Sequence, residues 1–130
     1  MRVLALDYGS ARCGCALSDP TGTLATPLPA VRRPESRRGM AALTGLVREH
    51  EVERVVVGLP LSLSGGDSDQ TREAREFAAR FAARIDVPVE LEDERFTTVL
   101  AQRAGGQADE DSRAAAVLLQ GWLARHGASA

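Results

Sequence analysis

The sequence predicts an α/β protein built on a mixed five-stranded sheet, three N-terminal antiparallel strands and then two parallel ones, with helices on its faces. Three observations predict it. The runs Val3–Leu6 and Val55–Val57 are apolar at every position, as in strands covered on both sides. Three extended stretches come first, and helix, strand, helix, strand and helix then follow in order. Apolar residues make up 44% of the 130 residues, enough for a folded core in one domain spanning 1–130.

The first strand, Val3-Leu4-Ala5-Leu6, ends abruptly in Asp7, and a Tyr8-Gly9-Ser10 turn follows. Arg12 to Ser18 alternates, with Cys13, Cys15 and Leu17 on one side and Gly14 and Ala16 on the other, which predicts an antiparallel second strand. Ser18-Asp19-Pro20-Thr21-Gly22 has turn chemistry. Thr23 to Val31 is a third strand, and its Pro27 and Pro29 suit a sheet edge. A polar connection, Arg32 to Gly39, leads to apolar residues at 40, 43, 46 and 47, a helical spacing over 40–50. Val55 to Leu59 is a second buried strand, and Leu61 to Asp69 reads as a Ser/Gly-rich loop. Ala74, Phe77, Ala78, Phe81, Ala82 and Ile85 define a helix over 70–85. Val87 to Leu91 is the last strand, Thr97 to Ala104 a short helix capped by Thr97 and Thr98, and Asp109 to His126 the final helix.

The bulk numbers exclude several classes. The formal net charge of −2 gives no global attraction to nucleic acid, so any such contact needs a local basic surface. All 16 basic residues are arginine. Met1 leads straight into a strand with no secretory pattern, and no apolar stretch approaches the ~20 residues of a membrane span, so a cytoplasmic protein is expected. Cys13 and Cys15 have no second ligand pair at zinc spacing and read as small buried residues.

Three acidic positions carry the chemistry. A carboxylate buried alone costs several kcal/mol, so Asp7 at the mouth of a central strand calls for a partner, and a divalent cation is a good one. Asp93 and Glu94 follow the last strand. Strand parity puts Asp93 in phase with Val87, Val89 and Leu91 and Glu94 out of phase, and pattern alone does not choose between them. Asp111 precedes Ala115, Leu118 and Trp122 at helical spacing, so it falls on the apolar stripe of the final helix. Ligands of such sheets lie outside the carboxyl ends of strands. Three hard oxygen donors there suit Mg²⁺ or Mn²⁺, and two ions about 4 Å apart can hold a phosphodiester between attacking water and leaving oxygen.

Four segments in order resemble the YqgF/RuvX family of RNase H-like nucleases. They are Leu4 to Gly14 with Ser18-Asp19, Val57-Gly58-Leu59-Pro60-Leu61 with Gly65 and the helix from Thr71-Arg72 through Phe77, Asp93-Glu94-Arg95-Phe96-Thr97-Thr98, and Asp111 to Gln120. The resemblance runs from Met1 to about Leu123. It implies an RNase H-like fold, and it selects Asp7, Glu94 and Asp111 as catalytic, metal-holding acids. It also implies a bacterial cytoplasmic nuclease that processes the 5′ end of precursor 16S rRNA, while some relatives resemble Holliday-junction resolvases. The chain departs from the family at Gly105 to Glu110, which is short and acidic where the family carries a longer, basic stretch. Negative charge there repels a phosphate backbone.

Phosphate contacts are therefore expected from arginines elsewhere. Arg12 follows the first turn, Arg95 adjoins Glu94, and Arg72 and Arg75 share a helix face. Arg32, Arg33, Arg37 and Arg38 are the densest basic cluster, and a solvated polar loop explains them equally well. Tyr8, Phe96 and Trp122 read first as core residues. The leading expectation is a metal-dependent endonuclease on structured RNA, as monomer or homodimer. The alternatives are a resolvase of four-way DNA junctions, a non-catalytic nucleic-acid-binding module, and a fragment of an actin-like ATPase. The last is opposed by length, since those proteins clamp a nucleotide between two such domains.

Overall fold

A computed structural model describes residues 1–59, 69–93 and 110–127, with the backbone alone for Glu110 and Asp111. Its strands are β1 (Val3–Asp7), β2 (Arg12–Ser18), β3 (Ala25–Arg32), β4 (Arg54–Leu59) and β5 (Val89–Asp93). Its helices are α1 (Arg37–Glu49), α2 (Asp69–Ala82) and α3 (Glu110–Trp122), and a π-helical turn, Leu123–Gly127, continues α3. The sheet order is β3-β2-β1-β4-β5. β1 pairs antiparallel with β2 and β2 with β3, whereas β1 pairs parallel with β4 and β4 with β5. This is the expected RNase H-like mixed sheet, with β1 at its centre.

Alternation along the strands builds two cores. Leu4, Leu6, Cys13, Cys15, Val55 and Val57 face Met40 and Leu43 of α1 and Phe77 and Phe81 of α2. Val3, Ala5, Ala16 and Val56 face Ala115, Leu118, Leu119 and Trp122 of α3. The molecule therefore has three layers, with α1 and α2 on one face and α3 on the other. Cys13 and Cys15 are buried within the first core and are not joined in a disulfide, as their alternation implied. β3 is an edge strand, which lets Pro27 and Pro29 go without N–H groups.

Element boundaries shift for local reasons. β3 starts at Ala25 because Asp19 organises the turn as far as Leu24: its Oδ1 accepts from Thr23 N (2.8 Å) and Leu24 N (3.1 Å). α1 starts at Arg37, earlier than apolar spacing indicates, because Ser36 caps it and its Oγ accepts from Gly39 N at 3.0 Å. Arg37 and Arg38 are exposed, and periodicity registers only a buried face. β5 begins at Val89, after Pro88, and runs on to Asp93. The final helix is α-helical only to Trp122 and then widens into the π-turn. The loop expected at 61–69 lies outside the described residues except for Asp69, which opens α2. The short helix expected at 97–104, with its caps Thr97 and Thr98, also lies outside them.

Candidate active site at the carboxyl end of the sheet

Asp7 is the last residue of β1, half-buried, and paired in register with Gly14. By strand parity it shares the face of Val3 and Ala5, the side covered by α3. The chain turns at once because Gly9 has no side chain: a Cβ there would lie 2.7 Å from the Arg12 carbonyl oxygen. Tyr8 is directed to the other face, stacked on Phe77 with ring centroids 4.7 Å apart. Its hydroxyl donates to Glu35, which also accepts from Arg80 Nη1 at 2.6 Å. Burial, then the Glu35 hydrogen bond and charge, push the Tyr8 phenol above its ordinary pKa. Tyr8 therefore stays neutral and anchors the backbone that follows Asp7.

The start of α3 is fixed to this end of the sheet by Ser112. Its side chain is fully buried, and its Oγ accepts from Cys15 N at 3.2 Å. Cys15 is the register partner of Leu6, the residue before Asp7. The first turn of α3, which contains the backbone of Asp111, thus lies beside the end of β1. Ala115, Leu118 and Trp122 are buried against the sheet as their spacing implied. Sequence reasoning did not single out Ser112. Its signal was a small polar residue next to an acid on an apolar stripe.

β4 and β5 end level with each other, with Leu59 opposite Asp93. Trp122 Nε1 donates to Glu90 Oε1 at 2.6 Å, and Glu90 also pairs with Arg54. Glu92 pairs with Arg125 at 2.7 Å. These contacts turn the even-numbered positions of β5 toward α3, while Val89 packs against the opposite core and Asp93 shares its phase. Glu94, Arg95 and Phe96 lie outside the described residues. Among the nucleic-acid candidates, Arg12 is exposed at the same sheet end as Asp7, and Arg72 and Arg75 are exposed on α2, with Arg72 paired to Asp69.

Among the described residues no three His, Cys, Asp or Glu side chains form a metal cluster; Glu94 and the Asp111 side chain are not among them. The donor chemistry at this end still discriminates between metals. Both cysteines are buried in the opposite core, and His50 caps the far end of α1, in a recess it shares with Arg2. Asp7 offers hard oxygen, which fits Mg²⁺ or Mn²⁺ better than zinc.

The family described as "RuvX: Holliday junction resolvase" matches residues 1–125. The chain belongs to the RuvX family. RuvX relatives named "Putative pre-16S rRNA nuclease" include one from Koribacter versatilis, 42% identical over 97% of this chain and 88% of that protein. Another, from Anaeromyxobacter, is 44% identical over 95% of this chain and 96% of its own length. The RuvX fold is similar to that of Thermus thermophilus RuvC in complex with a Holliday junction substrate, with a TM-score of 0.65, 16% identity and 98% coverage of both chains. Membership in the RuvX family makes the chain a hydrolase acting on nucleic acid. Among the described residues no helix is long and apolar enough to cross a membrane.

Proposed function

We propose that this chain is a cytoplasmic, metal-dependent endonuclease that cuts precursor 16S rRNA near its 5′ end. One observation carries the site: Ser112 pins the first turn of α3 beside the carboxyl end of the central strand, where Asp7 emerges on the α3 side. In this reading Asp7, Glu94 and Asp111 hold Mg²⁺ or Mn²⁺, most simply two ions. Support for Glu94 over Asp93 comes from parity: Glu90 and Glu92 face α3, and a strand carried one residue past Asp93 would put position 94 in their phase. Bound ions would lower the pKa of a water for in-line attack on phosphorus and offset charge on the phosphate oxygens. The chain's own contribution is to hold its carboxylates on rigid elements. Arg12, Arg72, Arg75 and Arg95 are assigned to the phosphate backbone.

The test is cleavage of precursor 16S RNA and of a synthetic four-way junction, side by side, with metal varied. Asp7→Asn should reduce cutting by ~10²–10³-fold or more, the scale of losing one preorganised electrostatic stabiliser, with unchanged circular dichroism. Cutting retained in that variant ends the mechanism. The family description favours the junction as second substrate. Preferential junction cleavage would move the assignment there and require a dimer, since two symmetric cuts need two sites.

A further inference from the structure

A groove of 930 Å³ opens between β3 and α1. Arg32, Arg33, Arg37 and Arg38 line one end of it, and all four are exposed. That end lies at the same end of the sheet as the site, though on the α1 face: Arg32 is opposite Arg12 in register, at the end where Asp7 faces Gly14. β3 is two strands from β1, about 10 Å at ordinary strand spacing. Leu46 and Val31 give the groove an apolar floor. Glu49 and His50 close its other end, so positive charge is confined to the end near the site.

The basic turn is held by hydrogen bonds, yet its backbone and charges include choices that oppose stability. Arg33 has φ 45°, a left-handed conformation uncommon for a side-chain-bearing residue. It is held by Arg33 N donating to Ala11 O (2.9 Å) and by Ser36 N (2.9 Å) and Ser36 Oγ (2.7 Å) donating to Arg33 O. Arg37 and Arg38 open α1, whose first turn has no acid, although the positive end of a helix favours acids. Glu35, the one carboxylate in residues 32–38, is engaged by Tyr8 and Arg80. Among the described residues no carboxylate pairs with Arg32, Arg33, Arg37 or Arg38, whereas Arg54, Arg72, Arg80 and Arg125 all have acid partners. Local choices that oppose stability in a fixed turn are the pattern of a binding site.

We infer that this turn is a second RNA contact, which grips the phosphate backbone on the β3 side of the cut. The inference rests on the reading of the chain as an RNA nuclease and replaces the backbone contact that the acidic 105–110 stretch does not favour. Phosphates complement the guanidinium forks bidentately, and the Tyr8–Glu35–Arg80 link ties the turn to the residue after Asp7.

The test measures binding of a fluorescent single-stranded RNA from the 16S precursor 5′ leader, in EDTA, by anisotropy. R37E/R38E should weaken binding at least about tenfold at ~50 mM salt and reduce the salt slope by about 1.4, two contacts at ~0.7 each. Its melting temperature should hold or rise, because acids suit a helix N-terminus. R37Q/R38Q, with a smaller loss, serves if the reversal does not fold. R48E/R84E makes the same charge change at exposed positions away from the turn and should bind nearly as wild type. Equal losses in both reversals would reduce the effect to net charge and overturn the inference. Unchanged RNA binding in R37E/R38E, or a loss confined to a four-way DNA junction, would overturn it as well. Wild-type cleavage of the same RNA in Mg²⁺ separates the two readings: binding without cutting ends the nuclease reading alone, and cutting with R37E/R38E binding intact ends the RNA contact alone.

Discussion

Ser112 and Asp19 show how single polar side chains set the geometry of this protein. Ser112 satisfies the N–H of Cys15 inside the core, and Ala in its place would leave that donor unpaired. Ser112→Ala should cost about 1–3 kcal/mol, read as a lowered urea midpoint, and should reduce cleavage by loosening the start of α3. A change under ~0.5 kcal/mol would show that water replaces the hydroxyl without loss. Asp19 organises the β2–β3 turn, and hydrogen bonds from Thr21 and from Leu24 and Thr23 hold its carboxyl well below the usual aspartate range. The sign follows from a depressed folded pKa: the stabilisation is present above the unfolded value and is lost as pH falls toward the folded one. The melting-temperature gap between wild type and Asp19→Ala should therefore be full at neutral pH and shrink below about pH 4. A gap constant down to pH 2 would contradict this.

At the scale of elements, α1 contains two glycines with opposite meanings. Gly39 faces the basic turn so closely that a Cβ would lie 2.1 Å from Arg33 O and 2.7 Å from Pro34 Cα. Both neighbours are backbone, so neither can turn aside. Gly39→Ala should destabilise at the upper end of the ~1–3 kcal/mol typical of overpacked sites, with RNA binding weakened as the turn is displaced. Gly45, in the middle of the same helix, has nothing within 4 Å of its Cβ direction. Gly45→Ala should stabilise by roughly 0.5–1 kcal/mol. Thermal denaturation of both variants measures the contrast, and equal signs would refute the close packing of turn on helix.

At the scale of the whole molecule, the proposed site gathers acids from β1, the segment after β5, and the first turn of α3. In that reading these charges repel when no metal is bound. Asp7→Asn should therefore melt higher than wild type in EDTA, and Mg²⁺ should raise the melting temperature of wild type but not of the variant. A metal present at 100 times its dissociation constant adds about 2.7 kcal/mol to the native state. Equal Mg²⁺ responses in both proteins would remove Asp7 from the metal site.

The succession of elements, the edge position of β3, the two-faced packing of β2 and the buried stripe of α3 were all legible in the sequence, because side-chain periodicity is a local property of the chain. The acid that ends β1 was legible for the same reason. The choice between Asp93 and Glu94 was not settled by pattern, because phase is relative until a partner layer is known. The contacts of Glu90 with Trp122 and Glu92 with Arg125 show which side of β5 meets α3, and Glu94 itself lies outside the described residues. Ser112 was invisible as an anchor, since its partner is 97 residues away. The arginines of 32–38 were visible as a cluster, but their mutual orientation depends on the left-handed backbone of Arg33 and on the approach of the turn to Gly39. Periodicity and turn chemistry thus determined the elements and their buried faces. Tertiary structure alone decided which ends meet, because proximity between distant residues arises only when those faces pack.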